Sequence, residues 1–208
     1  MIKALNRSSL LAIVMVAGSF PLAAQTSEVA PETGALLYWV GHDGSSSYRF
    51  QEAVLYRDDD LTLYQSLPDE SEAGREPVVD DFYILLSGVQ YLPCDGELPT
   101  AEYRDALKAF VRNGAPDDEF EIVAEDAATL KIGDEEAFFL MGKTYQGTWV
   151  HSDANEESYL IDRTTGLNLK LRWDDGMSDT LVLQTKQKEI DFSALSVHLG
   201  ACATLVSD

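Results

Sequence analysis

The sequence predicts an α+β domain: a large antiparallel sheet, meandering in its C-terminal half, with one principal amphipathic helix packed across it. Three observations predict this. Beyond residue 35 most of the chain consists of short runs rich in aromatic and β-branched residues. The gaps between runs hold a few turn-forming residues, and short connections join antiparallel neighbours. Only the stretch after Thr100 has helical spacing.

At the amino end, Lys3 and Arg7 precede an apolar run from Leu10 to Phe20, followed by small residues at Ala23 and Ala24. This is the layout of a secretory signal peptide. The run is shorter than the roughly 20 apolar residues that span a bilayer. Residues 1–24 are therefore expected to be a signal peptide cleaved near Ala24, residues 25–35 a flexible linker, and residues 36–208 a single domain. Export most simply places the mature protein in a bacterial periplasm.

The domain opens with LLYWV (Leu36 to Val40), YRFQEAVLYR (Tyr48 to Arg57) and LTLYQSL (Leu61 to Leu67), the last two forming a hairpin about Asp58, Asp59 and Asp60. Residues Pro68 to Asp81 are acidic, hold two prolines and lack a hydrophobic period, so they read as a long loop. FYILLSGVQYL, Phe82 to Leu92, is apolar on both faces and is expected as one strand in mid-sheet. In the helix, Tyr103, Ala106, Leu107, Phe110 and Val111 share a face. Thr100 is placed to cap its start, and Asn113, Gly114 and Pro116 end it.

From Phe120 the chain reads FEIVAE, TLKI, EAFFLMGKTY, TWVHS, SYLID, GLNLKLRW and TLVLQTK. Turns are expected at Gly133 with Asp134, at Gly147, at Thr165 with Gly166, and at Asp174 to Gly176. Leu167, Leu169, Leu171 and Trp173 alternate with Asn168, Lys170 and Arg172. In the tail, either Asp191 caps a short helix or Leu195 to Leu199 form an edge strand. The element order over roughly residues 48–190 resembles the PsbP-like class of exported α+β domains. That likeness of layout implies a fold and no activity.

The formal charge is −21, and loss of a leader carrying Lys3 and Arg7 makes it −23. Such a surface repels nucleic acid and favours basic partners or cations. Nucleophile motifs are missing: GHDGSSSY supplies His42, Asp43 and Ser45 to Ser47 without the strand, turn and helix of a nucleophile elbow. The histidines are His42, His151 and His198, with His151 two residues from Asp153 and no H-E-x-x-H or paired-cysteine spacing. In DANEESYLID, Ser158 and Thr164 stand where a calcium loop requires glycine and glutamate. No catalytic, metal or cofactor site is therefore assigned. Adjacent acids recur at Asp80/Asp81, Asp117/Asp118, Glu135/Glu136, Glu156/Glu157 and Asp174/Asp175. None stands out as the carboxylate pair, about 5 to 9 Å apart, that glycoside hydrolysis needs. Lys170, Arg172, Lys186 and Lys188 form a basic stripe expected to pair with acids across strands.

These features point to an exported, acidic, non-catalytic binding protein for a protein or envelope ligand, favouring basic surfaces, with neither a nucleic-acid partner nor a stable membrane anchor. Two alternatives stand beside it: a periplasmic immunity protein neutralising a basic toxin, and a hydrolase or metal-dependent enzyme whose site assembles only in three dimensions. The two cysteines, Cys94 and Cys202, read most economically as one disulfide in an oxidising compartment. Free thiols, or a reactive thiol presented by the turn from Pro93 to Gly96, are the alternatives. A bridge closing a loop of about 100 residues stabilises by up to roughly 4 to 5 kcal/mol in the chain-entropy account. Denatured without reductant, the protein should yield no titratable thiol; two thiols per chain would overturn the pairing.

Overall fold

The structure, a computed structural model, describes residues 32–68, 74–122, 128–154, 156–186 and 190–206. The expected signal peptide and most of the expected linker lie outside these residues. Eleven strands form one sheet: β1 (Ala35–Asp43), β2 (Ser46–Arg57), β3 (Leu61–Leu67), β4 (Phe82–Leu86), β5 (Gln90–Pro93), β6 (Glu119–Ile122), β7 (Ala128–Leu140), β8 (Lys143–Ser152), β9 (Glu157–Asp162), β10 (Leu167–Trp173) and β11 (Ser178–Lys186). Helix α1 spans Ala101–Asn113 and the short α2 spans Phe192–Leu195. The spatial order is β5-β4-β3-β2-β1-β11-β10-β9-β8-β7-β6, and every neighbouring pair is antiparallel. The sheet is thus two meanders, β1 to β5 and β6 to β11, joined through the β1–β11 pair.

The sheet is curled. Laid flat, β5 and β9 would lie about 34 Å apart at the usual strand spacing, yet Tyr91 of β5 and Tyr159 of β9 line the same cavity. The turns close the same distance: Arg57 on β2 donates to the Thr165 carbonyl of the β9–β10 turn. A side chain on Gly88, after β4, would come within 2.7 Å of the Gly166 carbonyl, so only glycine permits that approach.

Helix α1 holds this curl. Thr100 Oγ1 accepts from the Tyr103 N–H at 3.3 Å, capping its start as the sequence suggested. Leu107 and Val111 are buried in one cluster with Leu61, Leu63 and Ile84 from β3 and β4 and with Leu130, Ile132 and Ile161 from β7 and β9. The helix therefore buries apolar side chains from both halves of the sheet at once. Along its flank, Arg104, Lys108 and Arg112 recur every four residues and meet the β2–β3 turn. Arg104 Nε lies 2.8 Å from Asp60 and its Nη2 lies 2.8 Å from Asp58, while Lys108 Nζ lies 2.9 Å from Asp59. Arg163 donates to the carbonyls of Val111 and Gly114, placing a cation at the helix C-terminus where the dipole is negative.

Three expectations are corrected. Phe82 to Leu92 is a hairpin at the sheet's edge, because Ser87 (φ 49°) and Gly88 (φ 78°) turn the chain through left-handed backbone between β4 and β5. Its apolar residues alternate, with Phe82, Ile84 and Leu86 buried on the α1 side. Gly133 and Gly147 lie inside β7 and β8 and make no turn. A side chain at Gly133 would collide with the His151 ring, and one at Gly147 with Leu160. The actual turn is Met141–Gly142, both with positive φ. The alternation of β10 breaks at a bulge between Asn168 and Lys170, so Leu167, Asn168 and Leu169 are all buried.

The tail is helical, with Asp191 Oδ1 accepting from the Ser193 N–H at 3.1 Å to start α2. A 3-10 turn, Gly200–Leu205, follows and carries Cys202, which is bonded to Cys94. Both cysteines are buried in the α1 cluster, so the bridge joins the end of edge strand β5 to the tail. The charge-assisted hydrogen bonds of half-buried Arg104 to two aspartates predict that Arg104→Ala loses about 2 kcal/mol in urea denaturation at pH 7. Arg104 holds the Asp60 carboxyl below its ordinary value. This stabilisation is present above the unfolded carboxylate pKa and fades as pH falls through the lower folded one, so the variant and the parent should converge in acid. Lys108→Ala, whose partner Asp59 is exposed, should change stability far less.

Candidate functional site

Strand register assembles the site. Trp39 pairs with Phe50 and Leu37 with Glu52 across β1 and β2; Tyr64 pairs with Tyr83 across β3 and β4, and Leu85 with Tyr91 across β4 and β5. On the other side of β1, Asp179, Leu171 and Tyr159 form a row across β11, β10 and β9, with Trp173 opposite Glu157 beside it. Paired residues in a sheet point to the same face. The curl turns these side chains toward one cavity of about 290 Å³, completed by Asn168.

Aromatic rings supply most of the wall. Tyr64, Tyr83 and Tyr91 stack in series, with ring centroids 5.3 and 4.7 Å apart, and Trp39 stacks on Phe50 at 5.9 Å. Three carboxylates, Glu52, Glu157 and Asp179, are the carboxylic acids of the wall, and among the described residues no lysine, arginine or histidine lines it. Each carboxylate is held by neutral donors. Glu52 accepts from the Tyr83 hydroxyl. Asp179 accepts from Tyr48 at 2.8 Å, and Glu157 accepts from Tyr159 and, at 3.0 Å, from the Trp173 indole. None of the three makes a salt bridge among the described residues.

Such surroundings disfavour charge. Burial pushes the Glu52 carboxyl up to about 7, the Tyr83 hydrogen bond and the nearby Trp39 indole pulling the other way without cancelling it. The Trp39 Nε1 itself is buried and makes no well-formed hydrogen bond. Burial also raises Asp179, against the Tyr48 hydrogen bond and the charge of His42. Tyr48 rises to about 12, through burial and then through Asp179. The hydroxyls of Tyr64, Tyr83 and Tyr159 move up as well, burial being the largest cause for each.

The residues weighed from sequence lie elsewhere, apart from Glu157. His42 contacts Ser47 at 2.9 Å on the exposed β1–β2 hairpin, and His151 contacts Ser158 at 2.8 Å across β8 and β9. Asp153 instead accepts from the Thr129 N–H at 2.6 Å, so it does not converge with His151. His198 follows α2 in the tail. Among the described residues no group of three or more His, Cys, Asp or Glu is placed to hold a metal ion. Lys170 and Arg172 lie 3.7 and 3.8 Å from Glu136, with Arg172 over the Trp149 ring at 4.3 Å. These two cations of the basic stripe are thus balanced across strands; Lys188 lies outside the described residues. Residues 74–81 of the acidic loop contribute nothing to the cavity wall. Glu52 and Asp179 were missed because each is a single acid in its strand, Asp179 lying between Ser178 and Thr180 at the start of β11. The available signal was a single acid inside FQEAVLY, where the alternation predicts a buried position.

The raised Glu52 pKa has a definite sign. The native state holds a proton that the unfolded chain releases at its ordinary value near 4.5. Stability from this group is therefore highest below pH 4.5 and declines as pH rises through 7, by about 3 kcal/mol in all. Glu52→Gln keeps an acceptor for Tyr83 and removes the titration. Relative to the parent in urea denaturation, it should gain about 2 to 3 kcal/mol at pH 8 and little at pH 4. An equal effect at both pH values would show that Glu52 is not the group responsible.

No protein-family model and no curated protein sequence matches the chain. Among solved structures it is similar to the hypothetical lipoprotein YmcC from Escherichia coli K12, with 13% identity over 77% of this chain and 90% of that one, and a TM-score of 0.39. It is also similar to MucB, 13% identical over 79% of this chain and 58% of that chain, with a TM-score of 0.33. A third is the LolA superfamily protein NE2245 from Nitrosomonas europaea, 12% identical over 78% of this chain and 90% of that one, at 0.27. At these scores the likenesses carry no argument about the site. Among the described residues no helix is long and apolar enough to cross a membrane.

Proposed function

We propose that this is an exported, periplasmic, non-catalytic binding protein whose ligand sits in the aromatic cavity between β1–β5 and β9–β11. The carrying observation is the cavity itself: about 290 Å³, walled by seven aromatic rings drawn from both halves of a curled sheet. At the ~30 Å³ a water occupies in the liquid, it holds about ten non-hydrogen atoms. A concave, mostly apolar hollow with a few fixed polar groups is the usual form of a small-ligand site. The net charge of −21 additionally favours basic partners at the surface. The toxin-neutralising alternative draws on surface charge alone, and the acidic cluster Asp58 to Asp60 is already engaged by α1.

A hydrolytic reading draws on one specific observation, a pair of raised carboxyls, Glu52 and Asp179, in the same hollow. Acid and base catalysis needs two groups whose pKa values are driven apart. Here both move the same way, which supports binding over turnover.

Titration with an uncharged naphthylamine probe should give saturable enhancement of probe emission. Tyr91→Ala, which removes a half-exposed ring from the stack on Tyr83, should weaken it about fivefold while leaving the fold intact by circular dichroism. Absence of saturable binding by the parent protein would remove the cavity as the site. Turnover of chromogenic glycosides or esters, abolished by Glu52→Gln, would replace the binding reading with the hydrolytic one.

A further inference from the structure

We propose that the ligand of this cavity is a small organic cation, an apolar body bearing an ammonium group; the inference rests on the cavity being the binding site. The geometry supplies two independent halves of such a site. The first is the ring wall, where Tyr159 and Trp173 stand apart from the Tyr64–Tyr83–Tyr91 stack with no ring stacked on them among the described residues, and uncovered faces attract cations once water is displaced. The second is the imbalance of charge. Glu52, Glu157 and Asp179 enter the wall with only tyrosine and tryptophan donors, and among the described residues no basic side chain lines the hollow with them.

Where the protein pairs its acids it uses cations: Asp58 and Asp60 with Arg104, Asp81 with Arg75, and Glu136 with Lys170 and Arg172. The three cavity carboxylates have no such partner among the described residues, although Glu52 and Asp179 are buried. Buried charges are normally paired. The missing counter-charge is therefore assigned to the ligand. An anionic ligand would meet three acids in a hollow of low dielectric, and a neutral one would leave them as they are.

Binding should also move a proton. Glu52 faces Trp39 from β1, Tyr64 from β3 and Tyr83 from β4, and Asp179 on β11 adds negative charge. With its pKa at about 7, the carboxyl is half protonated at neutral pH. A cation placed beside it favours the ionised form, so complex formation releases up to about half a proton per site.

The test uses three probes of matched size, phenyltrimethylammonium, tert-butylbenzene and benzenesulfonate, titrated calorimetrically into the full mature chain at pH 7. The ammonium should bind at least tenfold more tightly than its uncharged isostere, and the sulfonate should not bind. Heats measured in phosphate and in Tris should differ for the ammonium by the released proton, and not for tert-butylbenzene. Asp179→Asn and Glu52→Gln, each checked for a cooperative melt, should weaken the ammonium at least fivefold and leave tert-butylbenzene unchanged; Glu52→Gln should also abolish the buffer dependence. Equal or tighter binding of tert-butylbenzene, or an ammonium affinity indifferent to both variants, would overturn the cationic assignment while leaving the cavity as a binding site. Failure of all three probes and of the naphthylamine probe would remove the cavity reading along with it.

Discussion

Leu107 and Val111 of α1 are buried simultaneously by strands near opposite ends of an eleven-strand sheet. A sheet of that width has its own twist but no intrinsic reason to bring β5 toward β9. Apolar contact with one shared helix supplies the reason, and the aspartate turn beside it fixes the helix in place through Arg104 and Lys108. Bulges within β2 and β10, and between β1 and β11, lie near the middle of the sheet, where added local twist helps it bend. The cavity is a consequence: it is the hollow left where the curled sheet encloses large rings whose groups from its two halves do not meet.

The disulfide acts on the same element from the other end. Cys94 follows β5, a four-residue edge strand, and the chain runs from there into α1. Tying this corner to Cys202, whose own neighbours include Leu199 in the α1 cluster, keeps the edge from peeling away. An edge hydrogen-bonded on one side only is otherwise the most easily opened part of a sheet. Tyr91, in the middle of β5, is a cavity residue, so the bridge steadies the site as well as the fold.

Much of the fold was legible because it is written in local chemistry. Thr100 and Gly114 bracket α1, and Asp58 to Asp60 turn β2 into β3, as their side chains dictate. The misread glycines show where locality ends. Gly133 and Gly147 look like turns in sequence, but their small size is required by His151 and Leu160 on neighbouring strands. Ser87 and Gly88 were overlooked as a turn inside an apolar run, so an edge hairpin resembled one buried strand. The site was less legible still. Tyr91, Glu52 and Asp179 come together only through the curl, and curl depends on α1 reaching both halves, a long-range fact that no window of residues contains.

The chemistry of the cavity separates a structural role for its acids from a functional one. A carboxylate retained for stability would be expected with a cation or an array of backbone donors, as Asp60 has with Arg104 and as Asp191 has at the start of α2. Glu52 has a tyrosine and rings, and its raised pKa means that ionising it opposes folding at neutral pH. A glutamine could accept the same hydrogen bond at lower cost, so stability does not explain the choice of acid at that position. Residues that break a local rule without a structural gain mark places where a fold serves something other than itself. What an acid offers in this hollow and an amide does not is negative charge on demand, available when a positive group arrives and withdrawn by protonation when it leaves.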